Sequence, residues 1–392
     1  MPSKTKKKQN TLNHSGENSI SVLLAGTSYP RNDQDWRGRF ISDMVDALSC
    51  RRAVSLRTWL PPGNICSNVA DAASPEESRF LEKLAEAGGI AHILRSKKFT
   101  GVLWALKLMK HLRAVYQRES RADVMQINWL QNAIPLWGSH TPALITVLGT
   151  DYKLLALPGM VPLLRAVIKQ RKTIIAPNGH WMRSALEKQF GDIAQIRPIP
   201  FGVRRRWFDV LRRFPGQGAN QWLTVSRLTA NKIGPLFEWG TGVFNEKNVL
   251  WLLGPNQENL PIPEWVVYKG ATCPEELEEK WFPSAAGLIT LSRHDEGRPQ
   301  VILEAMAAGI PVIASDLAAH RDVVIHGKTG WIVTASEDLK QAIDFISIPE
   351  NNRRMGIAAK NWIKKHIGTW EDCARRYEAA YSALTGKTGE EI

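Results

Sequence analysis

The sequence has few cysteines, and they are too scattered to form a site. Cys50, Cys66, Cys273 and Cys373 are the four in the chain, and no two of them stand in a C-x-x-C pair. This spacing argues against a disulfide framework and against a cysteine-ligated zinc site. The sequence also lacks any run of about 18 uninterrupted apolar residues, so we expect no transmembrane helix.

The start of the chain lacks the pattern of a signal peptide. Residues 1–19 include Lys4, Lys6, Lys7 and Lys8, and no apolar stretch long enough for a signal sequence follows them. We therefore predict a disordered basic tail over residues 1–19. Together with the scattered cysteines, this predicts a cytoplasmic protein.

No G-x-G-x-x-G follows a predicted strand, which argues against a dinucleotide-dependent oxidoreductase. The composition is instead that of an ordinary globular protein, with 44% hydrophobic and 23% charged residues. A chain of 392 residues is long for one core and fits two domains.

Short apolar runs separated by helical patterns predict two doubly wound α/β domains of the Rossmann-like kind. The predicted strands cover residues 20–26, 53–60, 122–128, 143–149 and 172–177, followed by 222–226, 248–254, 264–270, 286–292 and 310–315. Residues 214–221 make the clearest break in composition, so we place the boundary within 204–220. This gives a first domain over 20–210, a second over 211–365, and a final helical segment over 366–392.

Glu296 and Glu304 are the most informative polar residues of the second half. They stand eight residues apart, which would leave them roughly 80° apart on a single helix, so we place Glu296 on a loop and Glu304 in a helix. Pro299 suits the first helical position, and the N–H groups of residues 298–301 would then favour a phosphate or diphosphate. Two carboxylates beside such a site can accept hydrogen bonds from sugar hydroxyls without a metal. By spacing alone, an acidic loop with a solvated helical glutamate remains an equal alternative.

The surrounding residues resemble a known enzyme family. EGRPQVILEAMAAGIPVIASD, over 296–316, resembles the E-x7-E signature of the retaining GT-B glycosyltransferases of family four, also called group 1. WLTVSRLTANK, over 222–232, resembles the strand and R-L-x-x-x-K of that family, and residues 316–333 resemble a stretch in which two glycines and a glutamate usually stand. This chain has Ala318, Ala319 and Asp322 there instead. The resemblance implies two Rossmann-like domains facing a cleft, with the last helix crossing back onto the first domain.

The resemblance also implies roles for individual residues on the donor side. Arg227 and Lys232 would hold the diphosphate of a nucleoside diphosphate sugar, Glu304 the ribose, and Glu296 the donor sugar. We expect Glu296, Arg227 and Lys232 to carry the catalysis. The other donor-binding candidates are Gly297, Arg298, Pro299, Gln300 and Val301. We expect no metal and no cofactor, because the donor is itself a substrate.

The acceptor side matches the family less well. A His-x-His of many relatives is replaced here by Gln126, Ile127 and Asn128, and a His-Gly-x-Asp pattern by residues 148–151. Asn128 can orient a hydroxyl but cannot carry a proton. Asp151 keeps its place and could meet a sugar, although an aspartate after a strand often only caps a helix.

The loop after the first strand supplies two further candidates for the acceptor side. The resemblance assigns Gly38 and Arg39 to it. The same loop holds Asp33, Gln34 and Asp35, formally a D-x-D, but the rest of a metal-dependent fold is missing.

A strongly basic segment accounts for part of the net charge of +13. Residues 92–118 contain seven lysines and arginines and no acidic residue, with apolar side chains at helical spacing at Val102, Leu103, Leu106, Met109 and Leu112. This predicts a basic amphipathic helix that docks on an anionic membrane. A helix packed on its own domain with solvated lysines remains the alternative. We expect no nucleic acid, because aromatic and basic residues do not alternate as in RNA-binding proteins.

Together these features predict a retaining, metal-independent hexosyltransferase. It would move a sugar from a nucleoside diphosphate sugar to a glycan or lipid-linked acceptor in cell-envelope polysaccharide or lipopolysaccharide synthesis. We expect it in the cytoplasm, peripherally on the inner face of the plasma membrane. The alternatives are a GT-B sugar-nucleotide epimerase or phosphorylase, or a non-catalytic protein associated with membrane or nucleic acid.

Overall fold

The computed structural model describes residues 19–387 except 33, 34, 36, 97, 215, 217 and 295. The predicted tail, apart from residue 19, lies outside these described residues. So do the first two residues of the D-x-D.

The first domain is built on a parallel sheet of seven strands among the described residues, in the order β3-β2-β1-β4-β5-β6-β7. The strands are Ile20–Ala25 (β1), Val54–Trp59 (β2), Ala70–Asp71 (β3), Val124–Asn128 (β4), Ala143–Val147 (β5), Thr173–Pro177 (β6) and Gln195–Ile196 (β7). Every residue of β4, β5 and β6 is buried. Continuous burial is expected of central parallel strands that helices cover on both faces.

The second domain has a parallel sheet of six strands, again counted over the described residues, in the order β10-β9-β8-β11-β12-β13. The strands are Asn220–Val225 (β8), Asn248–Leu253 (β9), Val266–Gly270 (β10), Ala285–Thr290 (β11), Val312–Ser315 (β12) and Gly330–Val333 (β13). The two doubly wound domains predicted from the sequence are therefore present.

Helices fill the connections between the strands. The α-helices are Arg39–Ser49 (α1), Pro75–Glu86 (α2), Ile90–Ser96 (α3), Lys98–Arg118 (α4), Met160–Ile168 (α5), Arg183–Phe190 (α6), Arg206–Asp209 (α7), Ala230–Ile233 (α8), Leu236–Gly240 (α9), Pro274–Glu276 (α10), Phe282–Ser284 (α11), Gln300–Ala307 (α12), Ala318–Arg321 (α13), Ser336–Ser347 (α14), Pro349–His366 (α15) and Trp370–Thr385 (α16). Short 3₁₀ segments cover Leu130–Leu136, Tyr152–Ala156 and His180–Met182, and a π-helical segment covers Leu277–Trp281. No helix in the described part of the chain is both long and apolar enough to cross a membrane.

The basic segment folds differently from the single helix predicted over 92–118. It contains two helices, α3 and α4, on either side of residue 97. Helix α4 packs into the first domain through Leu108, Leu112 and Val115. Other apolar side chains predicted in the same repeat, among them Val102 and Leu103, lie exposed on the opposite face.

The last helix, α16, returns to the first domain, as predicted. Its buried residues Trp370, Tyr377 and Tyr381 pack in the same core cluster as Ile20 and Met44, from β1 and α1. The chain passes between the domains at two adjacent points, because Val203 forms a parallel bridge with Thr369. The backbones are so close there that a side chain at Gly202 would overlap the carbonyl of Thr369.

Each sheet has one point where the strand order reverses. In the first sheet it lies between β1 and β4, and in the second between β8 and β11. Ligands of open parallel sheets bind outside the carboxyl ends of the strands at such points. We therefore expect ligand-binding residues in the loops after these four strands.

Candidate active site

A cavity of about 410 Å³ lies between the two domains. The first domain contributes Arg39, Phe40 and Asp43 from α1. The connecting segment and the second domain contribute the remaining lining residues, which are Arg204, Trp207, Val225, Ser226, Arg227, Leu253, Gly254, Pro255, Ala271, Thr272, Pro274, Gln300, Val301 and Glu304. Predicted donor-side and acceptor-side residues thus meet at one cavity.

Lys232 is positioned by the loop that follows β8. Thr229 caps the short helix α8, and its hydroxyl accepts the N–H of Lys232 at 3.3 Å. The ammonium of Lys232 forms an ion pair with the carboxylate of Glu296 from the loop after β11. The two predicted residues therefore meet at the order reversal of the second sheet.

Two opposing influences determine whether Lys232 is protonated. Burial and the neighbouring guanidinium of Arg227 lower the pKa of Lys232 to about 7. The ion pair with Glu296 acts in the opposite direction, because a carboxylate favours the ammonium form. A further anion beside Lys232 would hold it in the charged form.

Glu304 projects from α12 into the cavity. Burial of the carboxyl and the proximity of Asp43 raise the pKa of Glu304 to about 8, although Arg204, Arg206 and Arg39 oppose the shift. The carboxyl is therefore mostly protonated at pH 7 and can both donate and accept a hydrogen bond.

Asp43 of α1 and Arg204 of the connecting segment form an ion pair beside the interdomain cavity, and the sequence did not predict it. Nη2 of Arg204 lies 2.6 Å from Oδ1 of Asp43, and Nε lies 2.9 Å from the same oxygen. Burial raises the pKa of Asp43, and Arg204 opposes that rise. The available signal was weak: Asp43 follows Arg39 by four residues, which places both on one face of α1.

Arg298, one of the predicted donor-binding residues, is buried between the loop before α12 and the end of α13. Its side chain is only 1% exposed and forms an ion pair with Asp322, which is itself 9% exposed. Asp322 also accepts the backbone N–H of His180 at 2.9 Å. Asp322, from the end of α13, therefore neutralises the guanidinium of Arg298, while donor binding by Arg298 stays a prediction.

The predicted start of the helix is corrected. Pro299 is the N-cap residue with φ −74° and ψ 114°, and the helix begins at Gln300. The side chain of Gln300 donates to the carbonyl of Gly202 at 2.8 Å, so it contacts the connection between the domains. Of the segment 297–301, Gln300 and Val301 line the cavity.

The two domains are in close contact at Gly297. Its carbonyl accepts the indole N–H of Trp181 at 2.6 Å. A side chain at Gly297 would overlap the carbonyl of Leu148 and Oδ1 of Asn178, and one at Gly149 would overlap the backbone of Gly297. Glycine is therefore needed on both sides of this contact, and at Gly149 a φ of +104° requires it as well.

Gly38 and Arg39, the acceptor-side candidates of the first loop, occupy different settings. Gly38 has φ +69° and stands against Ser28 and Tyr29, where a side chain would overlap them. Arg39 lines both the 410 Å³ cavity and an adjoining one of about 910 Å³. Gly38 thus shapes the loop, and Arg39 is the one that faces open space.

Asn128 lies at the order reversal of the first sheet, at the end of β4. It is fully buried, and its side-chain amide has no hydrogen-bond partner within the described part of the chain. The next residue, Trp129, has φ +71°, a strained conformation for a bulky residue. A buried unpaired amide beside a strained backbone is unusual outside functional sites.

Asp151 has a structural role. It is 2% exposed, and its two oxygens accept the backbone N–H groups of Leu130 and Leu148, each at 2.9 Å. Burial raises the pKa of Asp151, and these hydrogen bonds oppose the rise. The carboxylate therefore fixes the loop that carries Gly149, and its contact with a sugar stays a prediction.

No group of three histidine, cysteine or acidic side chains that could hold a metal ion occurs among the residues with described positions.

Part of the second domain matches a protein family. Residues 265–362 match the family "Glycosyl transferases group 1". A "Probable sucrose-phosphate synthase" of Thermosipho melanesiensis is 32% identical over 102 residues, which is 25% of this chain and 23% of that protein. The lipopolysaccharide core biosynthesis mannosyltransferase LpsB of Rhizobium meliloti is 33% identical over 109 residues, 26% of this chain and 30% of LpsB. The matches thus span less than a third of these curated relatives.

Solved structures resemble nearly the whole chain. The sucrose-phosphate synthase of Thermosynechococcus elongatus aligns with a TM-score of 0.67 and 16% identity over 94% of this chain and all of that one. Anabaena Alr3699/HepE, solved with UDP-glucose, aligns with a TM-score of 0.62 and 15% identity over 93% of this chain and all of that one. At such identities the likeness shows the fold, and it confirms the predicted GT-B architecture.

Proposed function

We propose that this protein is a retaining glycosyltransferase of the hexosyltransferase type. It moves a sugar from a nucleoside diphosphate sugar to a glycan or lipid-linked acceptor, without a metal. The observation that carries the proposal is that Arg227 and Glu304 line the interdomain cavity, while Lys232, which lies near Arg227, is paired with Glu296 at the order reversal of the second sheet. Two cations, the carboxylate of Glu296 and the protonated carboxyl of Glu304 fit a diphosphate joined to two polyhydroxylated groups.

Arg227 and Lys232 stabilise the diphosphate as it leaves. Negative charge grows on the phosphate oxygen when the bond to the sugar breaks, and fixed cations in a cleft stabilise that charge. The diphosphate also holds Lys232 in its charged form, because the pKa of Lys232 lies near 7 when no diphosphate is bound. Binding the donor therefore completes the electrostatic site.

Glu296 and Glu304 orient the donor by accepting hydrogen bonds from hydroxyl groups. The diphosphate replaces Glu296 as a partner of Lys232, which leaves the Glu296 carboxylate for the sugar. Glu304 lines the cavity that also includes Gly254 and Thr272, where it faces the ribose. The two groups do not act as a general acid and a general base in this scheme.

The transfer retains the anomeric configuration. The acceptor hydroxyl attacks the anomeric carbon on the face that the diphosphate leaves, while the bond from that carbon to the diphosphate oxygen breaks. The proton of the hydroxyl passes to the departing phosphate oxygen. This route needs no protein base, which agrees with Asn128 standing where relatives have a histidine.

We place the reaction in the cytoplasm at the inner face of the plasma membrane, in the synthesis of a cell-envelope polysaccharide or lipopolysaccharide. The partial similarity to the mannosyltransferase LpsB supports this acceptor class. HepE, solved with UDP-glucose, supports a nucleoside diphosphate sugar as donor.

The first experiment is a donor screen. Uridine, guanosine and adenosine diphosphates are compared by the shift in melting temperature that each causes, because a bound ligand raises apparent stability. The matching nucleotide sugars are then incubated with a membrane glycolipid extract, and the anomeric configuration of the product is read by NMR. We expect one nucleotide to stabilise the protein and Arg227→Ala to abolish that shift.

Three outcomes would overturn the proposal. An isomerised donor that forms without any acceptor would indicate an epimerase. Sugar transfer to inorganic phosphate from a glycan would indicate a phosphorylase. The absence of any nucleotide effect, with Arg227→Ala indistinguishable from the unaltered protein, would indicate a non-catalytic protein.

A further inference from the structure

The first half of α4 carries a stripe of apolar side chains on the surface of the first domain. Phe99 is 82% exposed, Leu106 62%, Leu103 55% and Val102 52%. Residues spaced by three, four and seven lie on one face of a helix. A contiguous set of this size differs from the single exposed apolar residues that every protein has.

This stripe is not the face by which the helix is attached. Leu108, Leu112 and Val115 are at most 1% exposed and hold α4 against the first-domain core. The helix thus has a covered apolar face and an uncovered one. Packing of α4 on the first domain therefore does not explain the uncovered apolar face.

Positive charge surrounds the stripe. No acidic residue occurs from residue 90 to residue 118, and Lys107 and Lys110 lie exposed on the same side of α4. Helix α2 adds Arg79 and Lys83 to the adjoining groove of about 490 Å³, against a single acidic residue there, Glu76. The surface therefore combines apolar side chains with an excess of cations.

We propose that this stripe, with Lys107 and Lys110, docks on an anionic lipid bilayer. Phe99, Leu103 and Leu106 enter the boundary between headgroups and acyl chains, and the lysines bind the lipid phosphates. The proposal deepens the proposed location at the plasma membrane by assigning the surface that meets it. Apolar insertion and charge together supply the two signals that stable membrane attachment requires.

The charge argues against other occupants. A second copy related by two-fold symmetry would bring the same lysines against each other, which is unfavourable. A nucleic acid would satisfy the lysines but would leave Phe99 and Leu106 exposed to water or phosphate. An anionic bilayer satisfies both kinds of side chain.

The test is co-sedimentation of the full chain with vesicles of phosphatidylcholine containing about 30% phosphatidylglycerol, compared with phosphatidylcholine alone. We expect binding to the anionic vesicles. The double variant Phe99→Ser/Leu106→Ser should bind about tenfold more weakly or worse, because two apolar anchors are lost. Lys107→Glu/Lys110→Glu should lose at least about fivefold per lysine and show a weaker dependence on salt.

Matched controls separate docking from folding and from catalysis. Leu211 is also 82% exposed but lies in the connection between the sheets, so Leu211→Ser should bind vesicles normally. Lys328→Glu, an exposed site in the second domain, should cost far less than the pair on α4. Sugar transfer to a water-soluble acceptor should be unchanged in the Phe99/Leu106 variant, so failure of docking and failure of transfer can be told apart.

Several results would overturn the proposal. Equal vesicle binding by the Phe99/Leu106 variant and the unaltered protein would do so, as would equal binding to vesicles with and without phosphatidylglycerol. A dimer in solution that Phe99→Ser/Leu106→Ser converts to a monomer would show that a second copy covers the stripe instead.

Discussion

Lys232 and Glu296 show how much of the site depends on single side chains. Lys232 lies in α8 after β8, Glu296 lies in the loop after β11, and the two neutralise each other at the order reversal of the sheet. Removal of one leaves the other without its counter-ion. Substitution of Lys232 and substitution of Glu296 should therefore affect donor binding differently.

We expect Lys232→Ala to weaken binding of the matching nucleoside diphosphate about 10- to 100-fold, the range of a charge-assisted hydrogen bond. It removes a cation and leaves the Glu296 carboxylate facing the phosphates. Glu296→Gln should keep nucleotide affinity within a few-fold and lower turnover. Isothermal titration and steady-state rates measure the two effects, with Lys328→Ala as the exposed control. Equal loss of affinity in both variants would contradict the assignment.

Glu304 makes stability depend on pH. Its pKa is about 8 in the folded protein against an ordinary value of 4.5, so the folded state binds the extra proton between these values. Stability from this group is therefore fully present below about pH 4.5 and is lost as pH rises through about 8, by at most about 1.4 kcal/mol per pH unit.

Glu304→Gln tests this directly by urea unfolding at several pH values. The variant should lack the part of the decline due to Glu304, while Asp43, whose pKa is also raised, contributes to both proteins. Parallel stability curves for the variant and the unaltered protein would show that Glu304 is not protonated in the folded state.

Local sequence predicted some of these residues and not others for a physical reason. Arg227, Lys232, Glu296 and Glu304 follow strands of one sheet at recognisable spacings. Arg204 and Asp43 meet across 161 positions of sequence, and no local pattern records such a contact. The pairing of Arg298 with Asp322 was missed for the same reason, because the two residues stand 24 positions apart in sequence.

At the scale of elements, the apolar strands were predictable because burial on both faces leaves continuous apolar runs. The edge strands β3 and β7 have two residues each, too few to show a period. For helix α4 the periodicity was clear, but it left another question open. Its apolar repeat predicted a helix, but periodicity could not say which apolar face the domain covers and which it leaves exposed.

The ion pair of Arg298 with Asp322 joins the start of α12 to the end of α13. We expect Arg298→Met to lower the free energy of unfolding by about 3–5 kcal/mol, because Asp322 would remain as a buried unpaired charge. The double variant Arg298→Met/Asp322→Asn should cost less than the single one, since no charge is then stranded. Chemical denaturation of the four proteins of this cycle gives the coupling energy. Strict additivity would mean that the pair is solvated.

At the scale of the whole molecule, the contact of Gly297 with Gly149 and Asn178 closes the two domains on each other. Gly297→Ala should keep nucleotide affinity nearly unchanged, because Arg227, Lys232 and Glu304 all belong to the second domain. Turnover should fall about 100-fold or more, since a misplacement of about 1 Å at a reacting centre costs that much. Calorimetry and rate measurements separate the two quantities.

Gly216 provides the matched control for this substitution. A side chain there would meet nothing closer than 3.9 Å, so Gly216→Ala should be active. Equal activity of Gly297→Ala and Gly216→Ala would show that closure through Gly297 is not needed for transfer. The sequence predicted two domains facing a cleft, but the closeness of this contact comes from the packing of distant loops.

The return of α16 to the first domain has a consequence for biosynthesis. The first domain emerges from the ribosome before the second, yet Trp370, Tyr377 and Tyr381 are part of its core. At roughly 5–20 residues per second, nascent β1 and α1 wait on the order of ten seconds or more for that helix. During this interval their apolar surface is available to chaperones and proteases, so a chain interrupted before residue 370 is a target for degradation.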